Sequence, residues 1–163
     1  MLKDKKVLAG AAVLLGVAFW FYIKPTYLDS SNAAPQYTDE QIATAPRPTV
    51  TLEERVLNLK APADRPNYVK LVVALEFEDP DHKWIGLQGE ALAKKNEEFA
   101  HHLEPEMHRV WDVITDAMSE KTVQDVATAA GRDQLKEELI TALNAVLHEP
   151  RVENIYFVTF VTQ

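Results

Sequence analysis

From Tyr68 to Phe77 (YVKLVVALEF) apolar side chains fall on every second position. Val69, Leu71, Val73, Leu75 and Phe77 share one face and Tyr68, Lys70 and Glu76 mark the other, the alternation of a half-buried strand. Val50–Leu59 reads as an earlier strand with an interruption. Val50, Leu52 and Val56 have one parity, Leu57 and Leu59 the other, and a bulge or bend near Glu54–Arg55 reconciles them. Ala61–Asn67, with Pro62 and Pro66, and Glu78–His82, with Asp79-Pro80-Asp81, are turns. The period then changes. Over Leu87–Ser119 the residues Phe99, Leu103, Met107, Val110, Trp111, Ile114 and Met118 form one helical stripe, with a break or kink expected at Pro105, which lacks an N–H. Thr122 with Asp125 resembles a capping box and opens a short helical turn.

A further helix follows Ala129–Gly131. Its Leu135, Leu139, Leu143, Val146 and Leu147 lie on one face, Lys136, Glu137, Glu138 and Asn144 on the other, and Pro150 ends it. Val152–Val161 is a closing strand, rich in β-branched and aromatic residues and apolar on both sides. Strict alternation puts Val152, Tyr156, Val158 and Phe160 on one face and Ile155, Phe157 and Val161 on the other, so it is expected to be covered on both. The order ββαααβ makes an α+β domain.

The N-terminal region has no such periodicity. Val7–Ile23 is a run of 17 uncharged, mostly apolar residues, long enough as a helix to cover about 25 Å of the ~30 Å hydrocarbon core. We read it as a single membrane anchor whose apolar length is marked by Val7, Leu14, Val17, Trp20 and Ile23. Trp20, Phe21 and Tyr22 suit the interface, and Lys24 can extend to it. Lys3, Lys5 and Lys6 keep the N-terminus in the cytoplasm by the positive-inside rule. The alternative is a cleaved signal peptide with a small-x-small site at Ser31-Asn32-Ala33, although the apolar run exceeds the ~7–15 residues usual for a signal core. Ala12 and Gly16 form a small-xxx-small pair through which two such helices can approach. Pro25–Pro48, with Pro35 and Pro46, is expected to be an extended linker. The expected organisation is a cytoplasmic stub (1–6), a transmembrane helix (7–24), a linker (25–48) and an extracytoplasmic domain (49–163).

Charge sharpens this division. Lys3, Lys5, Lys6 and Lys24 against Asp4 leave residues 1–24 at +3, so the remainder carries −11 of a net −8. An acid excess of that size argues against nucleic acid as a partner and against lying flat on anionic lipid. There is no cysteine, which removes disulfides, thiolate chemistry and Cys-type zinc sites together and leaves an exported domain to hold itself by burial.

Few residues offer chemistry. His101 and His108, among Glu97, Glu98, Glu104 and Glu106, are seven apart on one helix face. Two turns, ~10.5 Å, is too far for both to bind one ion directly, and no zincin spacing is present. No carboxylate pair stands out as acid and base. Gly131 is isolated, and Ser30, Ser31 and Ser119 lack a nucleophile-elbow context. Met107, Trp111 and Met118 read as core. The expectation is no catalytic, cofactor or metal site.

A resemblance supplies what these patterns do not. Leu135-x-x-Glu138-Leu139, Leu143-Asn144-x-Val146-Leu147 and the terminal run Val152–Gln163 (VENIYFVTFVTQ) resemble the C-terminal block of the FliL family of flagellar basal-body-associated, single-pass membrane proteins. Tyr68–Phe77 is similar to the family's second strand. Pro105-Glu106-Met107 through Met118-Ser119-Glu120-Lys121-Thr122 is similar to its helix ending in a Leu-Ser-x-Lys-Thr signature, with Met118 in the place of the leucine. Gly131-Arg132-Asp133 is similar to the next helix start. The resemblance implies a stomatin-like (SPFH-like) domain, a homo-oligomeric ring around the flagellar stator in the inner membrane, and no enzyme activity. The other reading is a membrane-tethered extracytoplasmic module, unrelated to the flagellum, that binds a peptide or cell-wall ligand. An enzyme would need a pocket with convergent polar groups.

Overall fold

The sheet is built around one long central strand. Asn67–Phe77 (β3) pairs on one side with Thr49–Thr51 (β1) and Arg55–Leu59 (β2), placed end to end, and on the other with Val152–Thr162 (β4), all antiparallel. The structure is a computed structural model and describes residues 36–62 and 64–163. The expected anchor residues Val7, Leu14, Val17, Trp20 and Ile23, and the Ala12–Gly16 pair, lie outside the described residues. Among the described residues no helix is long and apolar enough to cross a membrane.

The first strand is two strands. Val50 lies opposite Leu75, and the Leu52 N–H still donates to the Val73 carbonyl at 2.8 Å, but Arg55 lies opposite Leu71. Three residues are therefore spent on one side against two on the other. This is the bulge that the parity of the leucines and valines requires. Val50 and Leu52 are buried before it; Leu59 is buried and Leu57 partly buried after it, while Val56 turns outward.

β4 departs from its expected pattern for the same physical reason. Register shifts fall between its pairings with Val72 and Val73 and between those with Glu76 and Phe77, leaving Val158 and Glu153 as extra residues. Each extra residue exchanges the faces beyond it. The core side is therefore Val152, Ile155, Phe157 and Phe160, not the strictly alternating set. Among the described residues the strand is covered on one face only: Tyr156, Val158 and Val161 are exposed on the other.

All the helices that build the core lie against the covered face. Gly89–Leu103 (α2, after a short helix α1 at Asp39–Thr44) packs on β1, Met107–Ser119 (α3) on β2, and Ala129–Val146 (α5) on α3 and β4. Val123–Ala127 (α4) packs on α5. α1 stands within the proline-rich stretch expected to be extended, and it buries no residue, so it has no apolar period to read. Pro105 converts the expected break into a 3-10 turn, Glu104–Glu106, between α2 and α3. The stripe continues across it. Leu103, Val110, Trp111, Ile114 and Met118 are buried, with Phe99 and Met107 packed against them. Facing them are Val69, Leu71, Val73, Leu75 and Phe77 of β3 and Leu135, Leu139 and Leu143 of α5. Each such side chain contributes about 1.5–3 kcal/mol of burial.

The helix ends are specified locally. Thr122 and Asp125 form the capping box of α4: the Asp125 carboxylate accepts the Thr122 N–H at 2.8 Å, and the Thr122 hydroxyl oxygen accepts the Asp125 N–H. Thr128 caps α5 by accepting the Gly131 N–H at 3.0 Å. Arg132 returns a guanidinium N–H to the Val126 and Ala127 carbonyls at the end of α4. α5 stops at Val146, ahead of Pro150, because Leu147 is already extended (φ −89°, ψ 134°). Asn144, expected on the solvated side, instead clamps β4. Its amide donates to the Val152 carbonyl at 2.9 Å and its oxygen accepts the Val152 N–H at 2.8 Å.

Candidate interaction surfaces

Among the described residues, three surfaces outside the core expose side chains to a ligand or partner. The first is an open groove of 1030 Å³ between the β1–β2 bulge and the α2–α3 helices. Its floor includes Leu52, Met107 and Trp111; its rim includes Glu53, Glu97, Glu104 and Asp112. The bulge aims Arg55 across it. The guanidinium carbon lies 4.0 Å from the centre of the Trp111 ring and a guanidinium nitrogen 2.6 Å from Glu53. Arg55 is thus held by a stacking contact and an ion pair at once.

His101 and His108 both line this groove, on either side of the Pro105 turn. His101 Nδ1 is 2.9 Å from Glu104, and both side chains are largely exposed. His102 faces a different hollow, so the three histidines do not converge. Among the described residues no three His, Asp or Glu side chains stand close enough together to hold a metal ion. No buried side-chain polar atom there lacks a hydrogen-bond partner. The groove has an apolar floor and a charged rim.

The second hollow, 660 Å³, lies beside the Glu78–Lys83 turn. The Asp79 carboxylate accepts the N–H groups of Lys83 and Trp84 at 3.0 and 2.8 Å, which ties down the turn as its sequence predicts. Trp84 donates its indole N–H to Asn96 Oδ1 at 2.8 Å and meets Phe99 edge-on at 5.5 Å. Asp81, an exposed residue, is held below the usual carboxylate range by its hydrogen bond to Lys83. These contacts use the polar groups of the turn on the turn itself.

The third surface is the uncovered face of the sheet and the adjoining edge of β4. Val56, Tyr68, Tyr156, Val158 and Val161 are exposed there. Apolar character on both sides of Val152–Val161 was the available sequence signal; which residues stay uncovered depends on the two bulges. The Arg55–Trp111 stack had no such signal, because it joins residues far apart in the chain.

The family model for flagellar basal body-associated protein FliL matches residues 49–163, from β1 to the last residue. A relative called flagellar protein FliL, from Aquifex aeolicus (strain VF5), is 29% identical over 110 residues. That alignment spans 64% of this chain and 68% of the relative.

Proposed function

The chain belongs to the FliL family of flagellar basal body-associated proteins, and from that membership we propose that it is a membrane-anchored structural component that assembles with itself and braces the motor stator. In this reading Val7–Ile23 anchors it in the inner membrane with the N-terminus in the cytoplasm. Residues 25–48 space the domain from the bilayer, and residues 49–163 form a stomatin-like (SPFH-like) extracytoplasmic domain. Copies held in one membrane plane meet at raised effective concentration, and head-to-tail contacts close into a ring where the rotation allows. The protein acts by contact and not by catalysis, without a cofactor and without nucleic acid.

The observation that carries this reading is the family match, which extends over every strand and every helix that covers the sheet. The open form of the grooves supports a contact role. The test is cross-linking and imaging of the full-length protein in its native membrane. Rings enclosing stator units are expected. Strictly monomeric protein, indifferent to deletion of the stator, would overturn the proposal.

A further inference from the structure

Arg55 already shows what the groove between the β1–β2 bulge and the α2–α3 helices can hold. Its guanidinium carbon lies 4.0 Å from the centre of the Trp111 ring. Its Nε and one terminal nitrogen donate to the same Glu53 oxygen, at 3.2 and 2.6 Å. A tryptophan face beside a carboxylate is a seat for a guanidinium. The occupant is loosely covered, with 42% of the Arg55 side chain exposed.

The groove also holds more negative charge than Arg55 answers. Glu53, Glu97, Glu98, Glu104 and Asp112 line it against Arg55 and Lys94, with His101 and His108 between them. Glu98 is 3.9 Å from Lys95, and Glu104 meets His101. Glu97 and Asp112 have no ion pair among the described residues. Beneath these carboxylates lie Leu52, Ala100, Met107 and Trp111. An acidic rim over an apolar floor complements a polypeptide segment that carries arginines beside apolar side chains. The same rim repels nucleic acid and anionic lipid. The open groove, at 1030 Å³, matches the upper end of the ~300–1,000 Å³ range of ligand sites. That is room for several side chains, not for one cation alone.

We infer that this groove docks an arginine-bearing, partly apolar segment of a partner protein, and that Arg55 stands on Trp111 in place of the partner's arginine until the segment binds. The inference deepens the contact role proposed above and rests on it, but it needs neither the ring nor the stator. Arg55 competes in two ways: it covers the aromatic face, and it cancels part of the charge that attracts the segment. One guanidinium leaves the ring as another arrives, so the stacking exchange is nearly even. The net gain comes from covering the floor and from giving Glu97 and Asp112 a cationic partner. Lysine is the poorer occupant, because its ammonium is compact, strongly hydrated and unable to stack.

The test uses the full-length protein in nanodiscs of neutral phosphatidylcholine and fluorescein-labelled synthetic peptides of equal length, with binding read by anisotropy. One peptide alternates arginine and leucine. A second has lysine for each arginine, and a third has serine for each leucine. The arginine–leucine peptide should bind most tightly of the three. Arg55 and Lys94 are both exposed, so replacing either spares the core. Arg55→Ala frees the ring and removes a like charge, and should tighten binding on the order of fivefold. Lys94→Ala removes a like charge only and should tighten it less. Glu97→Gln combined with Asp112→Asn should weaken it several-fold. Uptake of peptide by the disc is the same for every variant, so these differences report the groove. Binding no greater than to empty discs would overturn the inference. So would equal binding of the serine peptide, which would make the groove a general polycation site, or an Arg55→Ala variant no tighter than Lys94→Ala. The membrane cross-linking described above separates the two failures. Rings without peptide binding would end this inference alone, whereas neither rings nor peptide binding would end the contact reading with it.

Discussion

A methyl group on Gly131 would lie 1.8 Å from the backbone carbonyl oxygen of Asp125. The start of α5 and the body of α4 approach so closely that the position admits no side chain unless backbone moves. The Thr128 cap and the Arg132 bonds to Val126 and Ala127 hold the same junction.

Gly131→Ala is therefore expected to destabilise the protein, although alanine favours a helix over glycine by about 1 kcal/mol. Overpacking against backbone costs about 1–3 kcal/mol, and the clash should prevail. Chemical denaturation followed by the fluorescence of Trp84 and Trp111, both buried, reads this directly. A stabilised variant would mean that the α4–α5 junction is looser than described.

Leu139 is fully buried in the middle of α5. Leu139→Ala should cost about 2–5 kcal/mol in the same measurement, and a change within experimental error would place the buried face of α5 wrongly.

Asn144→Ala leaves the N–H and C=O of Val152 without the side chain that satisfies both. A loss of about 1–3 kcal/mol is expected. Asn144→Asp is the sharper variant, because a carboxylate accepts the N–H but has no proton for the carbonyl. If it matched the parent in stability, the two-bond clamp would not hold.

The Asp125 carboxyl is held below its usual range, first by the Thr122 backbone N–H and then by the Thr122 hydroxyl. Glu138 is lowered in the same direction, chiefly by its hydrogen bond with Lys121. A carboxyl depressed in the folded state binds its proton less tightly than in the unfolded chain. Its contribution to stability is complete above the ordinary aspartate value of ~3.9 and is lost as the pH falls through the lower folded value. Denaturation measured across the acid range should show a shallower decline for Asp125→Asn than for the parent, the two curves converging at the lowest pH. Parallel curves would remove Asp125 from the acid response.

Alkaline phosphatase fused after Gln163 should be active in cells, as Lys3, Lys5 and Lys6 ahead of one apolar span require. An inactive fusion of normal abundance would reverse the topology.

Periodicity reached as far as each element's own side chains reported their surroundings. The β1–β2 bulge was legible because it falls where polar residues separate two apolar parities, so Val50 and Leu52 could be set against Leu57 and Leu59. The bulges at Glu153 and Val158 were not, because β4 is apolar at both parities and no misplaced polar residue marks the slip. Pro105 announced its turn by lacking an N–H, whereas the end of α5 at Val146 depends on a backbone change at Leu147 that leaves the leucine buried. Asn144 looked solvated by helical position; only the return of β4 gives it two backbone groups to hold. The exposed sheet face was concealed for a related reason, since an apolar residue does not disclose whether its cover comes from its own chain.

The bulge between β1 and β2 and the 3-10 turn between α2 and α3 border the same groove. On that side of the domain both layers are interrupted at one level, while β3 and β4 run past it without a change of strand. A load applied along the strands would thus pass through the central pair. The β1–β2 side, with a break in both strand and helix, would flex first, so that the domain has a stiff flank and a compliant one.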